Sequence, residues 1–161
     1  DWLIARSRNE MSNEFPARKR LRLEDYDYAD PSGSYFVTIC AKERGAPLLE
    51  NETAESIKTS ISKIRALGVL IHCYCIMPDH LHLLISLAKS GKNLSKVVRK
   101  LKYDVSRATG RRVWQRSYYD HILRPSEDAV EVCGYILENP IRAGLVQDFD
   151  QWPHAGMLDE L

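Results

Sequence analysis

Three features of the sequence predict an α+β sandwich. Short stretches rich in aromatic and β-branched residues alternate with longer stretches whose apolar residues recur every three to four positions. Gly, Pro and Asp fall at the junctions between them. The chain has 161 residues, 44% of them hydrophobic and 28% charged, an ordinary composition for one domain with its own core. The order of the stretches is β-α-β-β-α-β-α, which describes a ferredoxin-like βαββαβ sandwich with an antiparallel sheet, extended by one C-terminal helix.

Each element has its own signal. Residues 18–34 form a basic, then acidic, lead-in that ends in the turn residues Asp30, Pro31, Ser32 and Gly33. Tyr35 to Ala41 (YFVTICA) reads as the first strand. Ile57, Ile61, Ile64 and Leu67 share one helical face, and Gly68 stops that helix. Val69 to Met77 and Leu81 to Leu87 read as two strands of a hairpin, joined by Met77-Pro78-Asp79, with His80 opening the second strand. Leu94, Val97, Val98, Leu101, Val105 and Ala108 make a clean apolar stripe on the next helix, which Gly110 ends. Val113 to Leu123 is expected to be a fourth strand. Ser126 is the expected cap of the last helix, with Glu127 and Asp128 in its first turn. That helix is expected to run to about Glu138, where Asn139-Pro140 interrupts it, followed by a short turn closed by Gly144.

Several classes are excluded at this level. No apolar run approaches the roughly 18 residues of a membrane span. The opening Asp1-Trp2-Leu3-Ile4 lacks the basic region and apolar core of a secretory signal. Residues 1–17 are set apart as a disordered or vector-derived leader, and residues 18–161 are taken as one domain. The four cysteines, Cys40, Cys73, Cys75 and Cys133, contain no CxxC pair, which argues against a zinc knuckle and for a reducing, cytoplasmic setting.

The net charge of +1 conceals an uneven distribution. Residues 89–124 hold eleven Lys or Arg against two Asp, a local balance of +9 that leaves −8 for the rest. Such a concentration of cations is a footprint for a polyanion, most simply nucleic acid, although a solvated basic face gives the same pattern. Lys96, Arg99, Lys100, Arg107, Arg111 and Arg112 are the expected phosphate contacts, which would position DNA without reading its sequence. Arg18 to Arg22 is a second basic stretch that could contact nucleic acid.

The most informative feature is His80-Leu81-His82, in the run YCIMPDHLHLL from Tyr74 to Leu84. Residues two apart on a strand share a face, so both imidazoles project together from an otherwise apolar segment. Two neutral imidazoles are half of a divalent-metal site. A third ligand is needed, and an amide oxygen suits a hard cation. Tyr135 and Asn139 lie four residues apart, on one face of the last helix if its final turn persists. If that helix packs beside the strand, Asn139 supplies the amide oxygen and Tyr135 a hydroxyl near the metal, and a tyrosine so placed can attack a phosphodiester. The plain alternatives are that Tyr135 is a rim residue and Asn139 a helix terminator. Tyr118 and Tyr119, on opposite faces of a strand, are better suited to packing or base stacking. Tyr103 lies on the basic helix face. His121 is most simply a hydrogen-bonded histidine, and Asp79 a support for His80 rather than a ligand.

Together with WQRSYYDHILR (Trp114 to Arg124) and YILENPIRAGLV (Tyr135 to Val146), the histidine run resembles the REP-associated tyrosine transposases, relatives of the single-strand insertion-sequence transposases within the HUH endonuclease superfamily. The resemblance covers about residues 18–153. It implies His80 and His82 as metal ligands, Tyr135 as nucleophile and Asn139 at the third ligand position, where the insertion-sequence branch has Gln. Asn is one methylene shorter. The resemblance also implies Mg²⁺ or Mn²⁺, a 5′-phosphotyrosine link with a free 3′-OH, and single-stranded or hairpin DNA as substrate. It leaves open monomer or homodimer, and mobile element or domesticated relative. The competing reading from another class is a ferredoxin-like module that binds single-stranded nucleic acid without cutting it.

Overall fold

The computed structural model describes residues 33–87, 90–124 and 127–161. Residues 1–17 and the Arg18 to Arg22 stretch lie outside them. The elements are β1 (Ser34–Cys40), α1 (Asn51–Arg65), β2 (Leu70–Ile76), β3 (His80–Ser86), α2 (Leu94–Thr109), β4 (Tyr119–Ile122), α3 (Ala129–Leu137), α4 (Asn139–Arg142) and β5 (Ala155–Met157). The sheet order is β4-β1-β3-β2-β5, with every pairing antiparallel. This is the expected ferredoxin-like arrangement, with one strand added at the edge.

The strand alternation divides the core in two. Tyr35, Val37 and Ile39 of β1 and Leu81, Leu83 and Ile85 of β3 point to one face. There they pack against Ile57, Ile61 and Ile64 of α1 and Leu94, Val97, Val98, Leu101 and Val105 of α2. These residues of the two stripes are thus buried, at roughly 1.5–3 kcal/mol per large side chain removed from water, but the predicted stripes are too long: Leu67 lies past the end of α1 and is exposed, and Ala108 is exposed near the end of α2. Asn93 caps α2 by accepting the Lys96 N–H at 2.9 Å, and Gly110 ends it with φ 67°, a conformation glycine adopts without penalty.

The other face carries Phe36 and Leu84 with Cys73, Cys75 and Met77, covered by Val132, Cys133 and Ile136 of α3. This face is therefore partly roofed by the last helix rather than left bare. All four cysteines are free and buried. Cys73 touches Cys133, a thiol contact that with burial drives the Cys73 thiol upward, while burial, opposed by Trp152 and Arg142, pushes the Cys75 thiol up to about 12. No helix among the described residues is long and apolar enough to cross a membrane.

Two local expectations need correction, and one element has no counterpart among them. The fourth strand does not run from Val113 to Leu123; only Tyr119–Ile122 is strand, preceded by an isolated bridge between Ala41 and Trp114. Tyr119 lies opposite Thr38, so continuous pairing would bring Arg116 to Ala41, but Trp114 is there instead. The intervening carbonyls are held by a side chain: Lys102 Nζ donates to Gln115 O at 3.0 Å and Ser117 O at 2.9 Å. The last helix is capped by Asp128, whose carboxylate accepts the Val130 N–H at 2.8 Å, and it begins at Ala129 rather than just after Ser126. Finally, β5 carries no strand signal in its Ala-Gly-Met sequence. Its placement is supported just beyond it, where Asp159 accepts from Arg65 Nε at 2.9 Å and from the Ile71 N–H at 2.8 Å.

Candidate active site

The two histidines sit on the α3 side of the sheet. In register, His82 lies between Thr38 of β1 and Cys75 of β2, and His80 lies opposite Cys40. Their rings stand 4.6 Å apart at 74°. Each Nδ1 is already engaged. His80 Nδ1 bonds the Asp79 carboxylate at 2.7 Å, and the Thr38 hydroxyl holds His82 Nδ1 at 2.9 Å. The bond to His80 keeps the Asp79 carboxyl below its usual range. With Nδ1 engaged by Asp79, His80 Nε2 is the ring atom left over; it is buried and has no hydrogen bond among the described residues. His82, 4% exposed, also has its Nε2 buried. This is the geometry of a metal-binding pair: two imidazoles side by side, each with a partner on Nδ1 that fixes the ring.

Phe36 connects this pair to the tyrosine. Its ring lies 5.3 Å from His82 and 6.1 Å from Tyr135, edge-on to the latter. The tyrosine helix packs against β2 and β3 of its own chain, which delivers Tyr135 to the histidine face. Asn139 opens α4 and is 3% exposed. Pro140 has no N–H to offer to Ile136 O, and Asn139 Nδ2 donates there instead at 3.3 Å, and to Tyr135 O at 3.3 Å. Two carbonyl acceptors fix the NH₂ end of the amide on the helix, which leaves Oδ1 as its remaining acceptor. Among the described residues no three His, Cys, Asp or Glu cluster as a metal site, so any cation on the histidine pair would take its further donors from another residue type or from solvent.

The structure brings His80 and His82 together, with Tyr135 joined to them through Phe36 and Asn139 one turn further along. It does not bring the six predicted cationic contacts to this face. They lie on or just after α2, whose apolar stripe packs on the opposite side of the sheet. Lys96, Arg99, Arg107 and Arg112 are exposed there. Lys100 is paired with Asp104 at 2.9 Å, and Arg111 with Glu50 and with the Thr53 hydroxyl. Among the rival tyrosines, Tyr118 packs toward the helical layer, with its hydroxyl 3.0 Å from Ser95 Oγ. Tyr119, opposite Thr38, shares the histidine face. His121 bonds Glu127 at 2.9 Å, consistent with the hydrogen-bonded histidine expected from sequence.

Three residues of this site carried no decisive signal in the sequence. Thr38 and Phe36 are ordinary strand residues until the register sets them beside His82. Arg142 lies seven positions after Tyr135, a helical spacing, but across the Asn139-Pro140 break. Its guanidinium carbon sits 3.8 Å from the centre of the Tyr135 ring, and its Nη2 donates to Tyr135 O.

Comparison with known proteins places these features in context. The model of the family described as "Transposase IS200 like" matches residues 31–139, a span that includes both histidines, Tyr135 and Asn139. The REP-associated tyrosine transposase of Escherichia coli K12 is 26% identical over 130 residues, covering 80% of this chain and 78% of that one. A Haemophilus influenzae protein, provisionally assigned as a REP-associated tyrosine transposase, is 28% identical over 141 residues, covering 76% and 78%. A solved REP-associated tyrosine transposase bound to a REP hairpin superposes with a TM-score of 0.71 at 25% identity, covering 82% of this chain and 81% of that one.

Proposed function

The chain belongs to the IS200-like transposase family, and from that premise we propose that it is a metal-dependent endonuclease and strand transferase for single-stranded DNA, with Tyr135 as nucleophile and hairpin DNA such as REP repeats as substrate. The hairpin substrate follows the solved relative, which is bound to one. The observation that carries the reading is the histidine pair with its Nδ1 atoms held and its Nε2 atoms buried, connected through Phe36 to Tyr135.

In the proposed reaction the phenolic oxygen of Tyr135 attacks the scissile phosphorus. The P–O3′ bond breaks, the phenolic proton is lost to solvent, and the departing 3′ oxygen takes up a proton. The products are a 5′-phosphotyrosine and a free 3′-OH. Attack of a 3′-OH on the phosphotyrosine reverses the step or joins a new strand, and the number of phosphodiester bonds is conserved. His80, His82 and Asn139 would hold Mg²⁺ or Mn²⁺, which supplies polarisation of the phosphate and neutralisation of its developing charge. Asp79 and Thr38 hold the imidazoles oriented for that task. The exposed cations of α2 serve as contacts for DNA that runs beyond the cleavage site.

The test is incubation of end-labelled single-stranded hairpin DNA with wild-type protein and Tyr135→Phe, with and without Mn²⁺. A covalent protein–DNA adduct that requires metal and disappears in the variant is the expected outcome. An adduct that persists in the variant moves the nucleophile to another tyrosine, with Tyr119 next in line. Binding without an adduct, across several hairpins, would turn the reading to a non-catalytic binding module.

A further inference from the structure

We infer that Arg142 is a positioning residue for Tyr135, holding the plane of its ring so that the phenolic oxygen meets the scissile phosphate. The inference rests on the assignment of Tyr135 as nucleophile.

Pro140 interrupts the pattern of backbone donors, and the carbonyls of Tyr135 and Ile136 both accept from side chains. The chain nevertheless continues helically, with Arg142 N donating to Glu138 O at 3.0 Å and Ala143 N to Asn139 O at 2.9 Å. Positions 135, 138 and 142 consequently stay on one face. Arg142 uses that alignment three ways. Its Nη2 donates to the Tyr135 carbonyl, its Nη1 lies 3.5 Å from the Glu138 carboxylate, and its guanidinium carbon sits 3.8 Å from the Tyr135 ring centre.

A phenol ring turns about two side-chain torsions, and the outer one is broad. Phe36 meets the Tyr135 ring at 77° and restrains one side. The flat guanidinium restrains a face, and because it is itself tethered twice, little further ordering is required when the ring settles against it. A lysine in this place would keep the charge without the flat surface. Alanine would leave Phe36 as the named ring contact. Misplacement of a nucleophile by about 1 Å costs on the order of a hundredfold in rate.

The experiment compares wild type, Arg142→Ala and Arg142→Lys, with Tyr135→Phe as reference. Single-turnover adduct formation is measured at saturating hairpin DNA with Mn²⁺, alongside hairpin affinity and the ring resonances of ¹³C-labelled tyrosine, that of Tyr135 being identified by its loss in Tyr135→Phe. The expected result is a rate roughly ten- to a hundredfold lower in Arg142→Ala, partial recovery in Arg142→Lys, affinity within about threefold of wild type, and a shifted Tyr135 ring signal. A rate within about twofold of wild type with an unmoved ring signal overturns the inference. So does a loss confined to DNA affinity, which would make Arg142 a phosphate contact. An adduct that survives Tyr135→Phe refutes the nucleophile assignment instead, so the two failures are told apart. Should Arg142→Ala fold poorly, the rate and ring signal of Arg142→Lys decide the matter.

Discussion

The two faces of the sheet are built from the same three central strands and have opposite character. On the α1–α2 face nearly every inward residue is a large aliphatic or aromatic group, and two full-length helices cover it. On the α3 face the same strands present Thr38, His80, His82 and Ser86 among Phe36, Leu84 and cysteines, under a helix of nine residues. The first face suits stability, since apolar burial scales with area. The second carries polar groups that pair with one another, Thr38 with His82, Ser34 with Ser86 at 2.7 Å, and His72 with Ser86 at 2.9 Å, while leaving His80 Nε2 without a hydrogen bond among the described residues. One strand can thus serve both purposes, because its alternation keeps the two sets of side chains apart.

That contrast can be broken deliberately. Replacing His80 and His82 together by Ala is expected to lower metal-dependent adduct formation by more than about a thousandfold. The same variant should unfold at a denaturant midpoint near that of wild type. A comparable loss in both properties would show that the histidine face is as structural as the other.

Leu101→Ala makes the opposite change. It empties a buried position between α2 and the sheet and is expected to cost about 3 kcal/mol in denaturant unfolding. Adduct formation well below the unfolding midpoint should stay within about twofold of wild type. A large catalytic loss in the fully folded variant would mean that the two faces are mechanically coupled.

Thr38→Val sharpens the comparison within the active face. It keeps the shape of the side chain and removes the hydroxyl that holds His82 Nδ1. Mn²⁺ affinity, read by titration of the DNA-free protein, should weaken about tenfold while stability changes little. Unchanged affinity would show that the hydroxyl does not orient the ring.

The smallest effect is expected at the rim, where Asp159 ties β5 to the body. The Arg65 hydrogen bond, helped by the Ile71 N–H, holds this carboxyl below its ordinary value of 3.8. A carboxyl depressed on folding contributes stability above its unfolded range and loses it as pH falls through the folded one. Asp159→Asn should therefore be less stable than wild type by about 1 kcal/mol at pH 7, with the gap closing below the ordinary carboxylate range. A gap that is constant with pH would assign the contribution to packing instead of charge.

The strands β1, β2 and β3, the helices α1 and α2, and the pairing of His80 with His82 were legible in the sequence because each rests on a local period of two or 3.6 residues. The interruption at Asn139-Pro140 was legible for the same reason, since the chemistry of proline acts on its neighbours. The short β4 was not, because Lys102, more than a dozen residues earlier, holds the carbonyls of residues 115 and 117 out of the ladder. Nor was β5, a three-residue edge strand whose only definition is its partner.

The sequence by itself determined that two imidazoles share a face, that Tyr135 and Asn139 stand four residues apart at a break before Pro140, and that cations concentrate between residues 89 and 124. Tertiary structure alone decided that α3 folds onto the histidine face, that Thr38, Phe36 and Arg142 complete the surroundings of His82 and Tyr135, and that the cations of α2 lie on the other side of the sheet. The physical reason is that side-chain direction within an element follows from local backbone geometry, whereas the neighbours of that element follow from strand register and crossover connections. These are set by the burial of the whole chain.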